Sequence, residues 1–251
     1  MELSLKNQTV AAIDADSICY IAHWDTINKS NDTKSLDKIL NDVDSIISNI
    51  LITTKATHYL GYLGLNHSVQ RMEINPNYKS NRKNKQKLKY IDEIKLHMMY
   101  EWKFYGVENV EVDDVVSSIR FLINNVIICS PDKDIVNLPG THYNYKKCKW
   151  INTTELQASY FFWNSMIVGD SADGIKGLVG AGPGFAEKLF KEVTDATLMR
   201  ELVFNAYINK YGEYKGISEF YLNYMSLKLL DDYPCTGLLI PIKVNANSLK
   251  I

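Results

Sequence analysis

The 251-residue chain is 46% hydrophobic and 23% charged, with a formal net charge of −1. This is the balance of a soluble globular protein long enough to bury a full core, and any affinity for a polyanion must come from how its charge is distributed. Four scattered cysteines with no C-x-x-C pair, and no apolar run near the ~20 residues of a membrane helix, set aside a zinc site, a disulfide framework and a membrane span. The N-terminus M-E-L-S-L-K-N-Q has no signal-peptide pattern, so a cytoplasmic location is expected.

In chain order, residues 8–14 (Q-T-V-A-A-I-D) read as a buried strand ending in an acid. Residues 36–52 carry Leu36, Ile39, Leu40, Val43, Ile46, Ile47 and Ile50 at helical spacing, and 57–63 are rich in β-formers. A basic stretch follows, with Lys79, Arg82, Lys83, Lys85, Lys87 and Lys89 and no acid from Ile74 to Ile91. Residues 90–104 are helical in pattern, and another helix is expected to start near Val115. Residues 125–129 (N-V-I-I-C) suit a strand covered on both faces of a parallel sheet. Helix signals recur at 154–167, 184–192, 196–210 and 217–230, interrupted by a glycine-rich loop or hairpin from Gly169 to Gly184. Strands alternating with helices, then a helical third, predict an α/β fold with a central, mainly parallel sheet and a helical C-terminal part packed on it.

Carboxylates gather in four short clusters: Asp14 and Asp16; Glu111, Asp113 and Asp114; Asp132 and Asp134; Asp170 and Asp173. Asp14, Asp132 and Asp134 fall at or just beyond the C-terminal ends of predicted strands, the edge where open parallel sheets bind ligands. Each acid alone has a structural explanation, Asp113 or Asp114 as a helix cap and Asp14 as a loop acid. Massed at one edge they repel unless they share a cation. Hard oxygen ligands without His or Cys favour Mg²⁺ or Mn²⁺, and so many acids suit two ions about 4 Å apart.

The stretch G-D-S-A-D-G-I-K-G-L-V-G-A-G-P-G (169–184) followed by F-A-E-K-L-F looks like a helix–hairpin–helix, a device that turns backbone N–H groups toward DNA phosphates. A plain interhelical turn explains the glycines equally well. The order G-x-x-x-x-G-K-[ST] is absent, which disfavours ATP binding. Lys83, Lys85, Lys87 and Lys89 form either a solvated face or an electrostatic funnel for a single strand.

Taken in order, I-D-A-D-S-I-C-Y (13–20), P-N-Y-K-S-N-R (76–82), V-E-V-D-D (110–114), S-P-D-K-D (130–134) and the glycine stretch resemble the motifs of the 5′ nuclease (flap endonuclease) superfamily, especially its phage and bacterial 5′–3′ exonucleases and RNase H-type flap nucleases. The resemblance implies a twisted sheet between helices within residues 1–165, a helical arch near 74–100, and a helix-three-turn-helix lobe in 166–251. It implies a metal site of Asp14, Glu111, Asp113, Asp114, Asp132, Asp134, Asp170 and Asp173, holding two Mg²⁺ or Mn²⁺ ions, with a K⁺ ion at the hairpin. Lys79 and Arg82 would act on the scissile phosphate. Tyr20, Arg71, Lys83, Lys85, Lys87, Gly180, Gly182, Gly184 and Lys188 would contact nucleic acid. Three positions depart from the family pattern. Gly64 stands where many relatives carry another acid, for which Asp16 is a stand-in. Gly184 replaces a phosphate-binding Lys, a charge that Lys176 or Lys188 can supply, and Pro131 replaces a Gly.

The expected function is metal-dependent hydrolysis of phosphodiester bonds at 5′ flaps, nicks or free 5′ ends of DNA or RNA–DNA hybrids. A monomer acting in replication or primer removal, beside other replication proteins and in bacterial or phage-infected cytosol, fits that reading. Two rivals are a non-catalytic structure-specific DNA-binding protein of the same fold, motivated by Gly64, and a PIN-type ribonuclease, which shares the acidic sheet edge.

Overall fold

Strand β1 (Val10–Asp14) is buried at every position because its alternate side chains enter two different cores. Ala11 and Ile13 pack on one face, Val10 and Ala12 on the other. This is why the strand reads as a continuous apolar run and not as an alternation. The structure, a computed structural model, describes residues 8–25, 34–66, 68–80, 88–231 and 240–241. In it β1 lies between two parallel neighbours, β2 (His58–Gly64) and β4 (Val126–Cys129), with β3 (Tyr105–Val107) parallel to β2. Beyond β4 come β5 (Gly140–Asn144), parallel, and β6 (Lys149–Thr153), antiparallel. A short β7 (Ile240–Pro241) pairs antiparallel with the start of β2. The spatial order is β3-β2-β1-β4-β5-β6, the mainly parallel sheet that the sequence predicts.

Helices cover both faces. On one lie α1 (Asp16–His23) and α2 (Leu36–Thr54), the latter capped by Ser35, whose hydroxyl accepts from the Lys38 N–H. A short α3 (Val69–Ile74) follows β2, and α4 (Ile91–Glu101) returns to pack Ile91, Ile94 and Met98 into the same core as Ile39, Val43 and Ile47. That part of the stretch expected to form an arch is therefore a core helix, and residues 81–87 lie outside the described residues. The opposite face is covered by α5 (Val112–Leu122) through Val112, Val115, Val116 and Ile119. Helix α5 begins three residues before Val115, because the extended backbone of Glu111 makes it the N-cap and leaves Asp113 and Asp114 in the first turn, where the helix dipole favours acids.

After α6 (Lys133–Val136) and the β5–β6 hairpin, α7 (Glu155–Val168) opens on a capping box between Thr154 and Gln157. With α8 (Pro183–Leu189), α9 (Ala196–Tyr211) and α10 (Glu213–Leu227) it encloses a third core around Trp163, Met166, Val203, Tyr207 and Phe220. Helix α10 starts before the expected residue 217 because Gly216 lies inside it. A Cβ there would come within 2.8 Å of the Ile208 Cα, so the glycine allows α9 and α10 to pack closely.

A buried ion pair ties the helical part to the sheet. Arg71 of α3 donates through Nη1 and Nη2 to the two carboxylate oxygens of Asp114 at 2.7 Å each, and through Nη2 to the Lys228 carbonyl at 3.1 Å. Asp114 also accepts from the Leu230 N–H at 2.8 Å. The segment leaving α10 is thus held against α3 and α5. Removing one partner of such a pair leaves an uncompensated buried charge. Arg71→Met should cost roughly 3–5 kcal/mol of stability, read as a lowered urea midpoint.

Candidate active site

The C-terminal ends of β1 and β4 are fastened together by side chains. Ser130, the residue after β4, donates its hydroxyl to Asp14 Oδ2 at 2.7 Å and accepts the Asp132 N–H at 3.0 Å. Asp132 in turn caps α6, accepting the Asp134 N–H at 2.7 Å. Pro131 fits between these bonds without disturbing them, since its carbonyl only accepts, from the Asn144 side chain. Asp14 Oδ1 receives the Asp16 N–H at 3.2 Å.

Around this point the acids influence one another. Burial, then Asp16 and Asp132, push the Asp14 carboxyl up to about 7. Burial, then Asp14, Asp132 and Glu111, raise Asp113 well above the usual carboxylate range. On the other side of Asp132, burial and then Asp132, Asp170 and Asp173 push Asp134 up to about 6. Asp132 is thus the acid that acts on both sets: on Asp14 and Asp113, which also feel Asp16 and Glu111, and on Asp134, which also feels Asp170 and Asp173. Among the described residues no three of them are drawn tightly enough to enclose an ion as they stand. The donor set is nonetheless all oxygen, which fits a hard divalent cation.

Cations enter from one side. Lys79 donates to Glu111 and stands 3.8 Å from Asp173, and Tyr78 donates its hydroxyl to Glu111 at 2.8 Å. Lys79 and Arg71 hold Glu111 below the ordinary carboxylate range against the cost of its burial. Lys79 has φ 51° and donates its N–H to the Asp173 carbonyl at 2.9 Å. Gly174, at φ 74°, makes this docking possible: a Cβ there would lie 2.7 Å from the Asn77 carbonyl oxygen. The start of the basic segment is thus seated on the start of the glycine loop. Lys133 pairs with Asp170 at 2.7 Å. A cavity of about 330 Å³ opens beside these acids, between Asp113, Asp134 and Asp170 and the aromatic wall of Phe162, Trp163 and Tyr224.

The structure pairs two of the expected site residues with each other. Arg71, expected on nucleic acid, is buried and fully engaged by Asp114, Glu111 and the Lys228 carbonyl. Asp114, expected among the metal ligands, has both carboxylate oxygens on Arg71. Tyr20 is exposed on α1, as a stacking surface requires. Gly180, Gly184 and Lys188 are exposed around the start of α8, with Gly182 half-buried between them. Arg82, Lys83, Lys85 and Lys87 lie outside the described residues. Sequence reasoning missed Tyr78, Ser130 and Lys133, each next to a motif acid or cation but of a type that reads as filler.

The family model for the 5′–3′ exonuclease N-terminal resolvase-like domain matches residues 9–161, more than half the chain. The chain belongs to this family, within the 5′ nuclease superfamily. No curated protein matches it closely in sequence. Among solved structures, the bacteriophage T5 protein co-crystallised with metal ions superposes with a TM-score of 0.62 at 16% identity, covering 87% of this chain and 90% of that one. The bacteriophage T5 flap endonuclease in a pseudo-enzyme–product complex with DNA and metal ions gives 0.56 at 20% identity, covering 88% and 89%. The catalytic core of Rad2 with DNA substrate gives 0.51 at 13% identity, covering 92% and 77%. At these identities the likeness is one of fold, and with the family match it supports a 5′ nuclease.

The raised carboxyls make the stability of this 5′ nuclease depend on pH. Asp14, Asp113 and Asp134 hold their protons more tightly folded than unfolded, so their stabilisation is complete below about pH 4; that of Asp134 and Asp14 is lost as pH rises through about 6 and about 7, and that of Asp113 as pH rises through its own raised value. Glu111 and Asp170 work the other way, losing theirs as pH falls below the ordinary carboxylate range. In EDTA the melting temperature should fall between about pH 5 and pH 8. Mg²⁺ should raise it more at the higher pH, as scanning calorimetry at both values would show.

Proposed function

We propose that the protein is a structure-specific 5′ nuclease that hydrolyses phosphodiester bonds near 5′ ends or flaps of DNA or RNA–DNA duplexes, in replication or primer removal. The observation that carries this reading is the two sets of carboxylates on which Asp132 acts at the C-terminal sheet edge, with Lys79 beside them. Asp14, Glu111, Asp113 and Asp132 would hold one divalent ion, and Asp132, Asp134, Asp170 and Asp173 a second. Bound there, Mg²⁺ or Mn²⁺ supplies Lewis acidity toward a phosphodiester and an attacking water.

The chain's own residues account for the rest. Lys79 sits on a fixed backbone but on a flexible stem, so its ammonium can leave Glu111 for a phosphate oxygen and stabilise charge that grows there during cleavage. Arg82 would assist it, and Lys83, Lys85 and Lys87 would draw the single strand toward the edge. Tyr20 offers a face for a terminal base. We assign residues 166–251 to a duplex-binding lobe, in which Gly180, Gly182 and Gly184 leave room for a phosphate backbone and Lys188 adds a cation. A K⁺ ion at this hairpin belongs to the same reading. Asp114 and Arg71 support the site and stay out of contact with metal and DNA.

Cleavage of a 5′-flap duplex and of the matching nicked duplex tests the reading. Release of 5′ fragments with Mg²⁺ or Mn²⁺, abolished by EDTA, is the expected result. Tight flap binding without cleavage under any metal would instead establish the non-catalytic alternative that Gly64 motivates, and preferential cutting of single-stranded RNA would favour the ribonuclease. Asp132→Asn should remove turnover and spare flap binding. Lys79→Ala should lower the single-turnover rate by about 10²–10³-fold with little change in affinity. A change in affinity alone would remove Lys79 from the chemistry.

A further inference from the structure

Position 64 ends β2 at the same sheet edge as Asp14, and it is a glycine. The backbone does not demand glycine here, because Gly64 is not among the residues with positive φ. The glycine provides space instead. A Cβ at this position would have as its three nearest atoms Oδ2, Oδ1 and Cγ of Asp16, at 3.1, 3.6 and 3.8 Å. The Gly64 N–H donates to Asp16 Oδ1 at 2.8 Å. The carboxylate of Asp16 thus occupies the volume into which a side chain at position 64 would grow.

Asp16 is the first residue of α1, where an acid has an ordinary role in complementing the helix dipole. Its side chain does something else. It reaches across to β2, while the Asp14 carboxylate accepts the first N–H of α1. From there it lies within electrostatic reach of Asp14, Glu111 and Lys79, and of Lys95 on α4, whose ammonium donates to the Gly64 carbonyl. The Gly64 N–H engages Oδ1 and leaves Oδ2, the oxygen nearest the unused Cβ position, for a further contact.

We propose that Asp16 supplies the acidic site with the carboxylate that position 64 lacks, so that a ligand for the divalent ion comes from the first turn of α1 and not from the end of β2. The two positions form an exchangeable pair, in which a side chain at position 64 would press on the Asp16 carboxylate, its Cβ 3.1 Å from Oδ2. The inference rests on the divalent-metal reading of the site given above.

The test compares three forms of the full chain: the natural protein, Asp16→Asn, and the double variant Asp16→Ala/Gly64→Asp. Asn at position 16 keeps the acceptor for the Gly64 N–H while removing the charge. In the double variant, loss of the Asp16 carboxylate removes the one tight contact, with Oδ2 at 3.1 Å, that a Cβ at position 64 would meet. Mn²⁺ binding is read by electron paramagnetic resonance of the free ion, independently of flap cleavage, with thermal unfolding as the check on folding. Asp16→Asn should weaken Mn²⁺ binding by at least about tenfold, the lower end of what losing even a supporting group costs. The double variant should regain most of that loss. Unchanged Mn²⁺ affinity in Asp16→Asn would overturn the proposal and leave the metal-dependent reading standing. A loss that the folded double variant does not restore would also overturn it, making Asp16 a residue that acts only through the Gly64 backbone. Absence of both Mn²⁺ binding and cleavage in the natural protein would fail the parent reading and this inference together.

Discussion

The guanidinium of Arg71 is the point on which the charged edge of the sheet hangs. It sits in the interior at 5% exposure, and every strong partner it has is an acid or a carbonyl of another element: Asp114 and Glu111 at the start of α5, and the Lys228 carbonyl beyond α10. Asp114 is neutralised by this cation through both carboxylate oxygens, and Glu111 is paired with it through one. Asp113 is not. It shares the first turn of α5 with Asp114 but answers to Asp14 and Asp132 instead, so neighbouring residues of one motif divide between anchoring the fold and facing the site.

A second constraint brings the basic segment to the acids. Tyr78 presents its ring to both Arg71 and Lys79, at 5.9 and 5.0 Å from the two cations, and its hydroxyl to Glu111. Lys79 follows in a left-handed conformation pinned by the Asp173 carbonyl, against a glycine that alone tolerates the approach. Segments nearly a hundred residues apart in sequence thereby become one wall, and the ammonium that serves Glu111 is within 4 Å of Asp173 as well. Such a cation can exchange partners without moving its backbone, which is what stabilising a developing phosphate charge asks of it.

Much of this was legible in the residues. The apolar strands announced a parallel sheet, because burial on two faces makes each a continuous apolar run. Strands β5 and β6 were not legible: T-H-Y-N and K-W-I-N-T are polar, partly exposed hairpin sequences whose pairing depends on the neighbouring edge of the sheet. The start of α5 was read late because Val112 and the two acids following it look extended until Glu111 is seen to cap them. The pairing of Arg71 with Asp114 was not legible for a related reason. Charge and motif position are visible in a sequence, but which of several charges a side chain turns toward is decided by packing. Gly64 and Asp16 are a further case: the space beside the glycine is taken by a carboxylate from another element, which only packing reveals.

The central claim is that Asp132 and the acids on which it acts hold divalent metal while Asp114 remains with Arg71. Crystals of the protein soaked in Mn²⁺ near neutral pH, with anomalous diffraction to locate the ions, test this most directly. The account predicts anomalous peaks bounded by Asp14, Glu111, Asp113 and Asp132, and on the other side by Asp134, Asp170 and Asp173, with the Arg71–Asp114 pair intact. Manganese found only on the surface, or bound through Asp114 with Arg71 displaced, would contradict it.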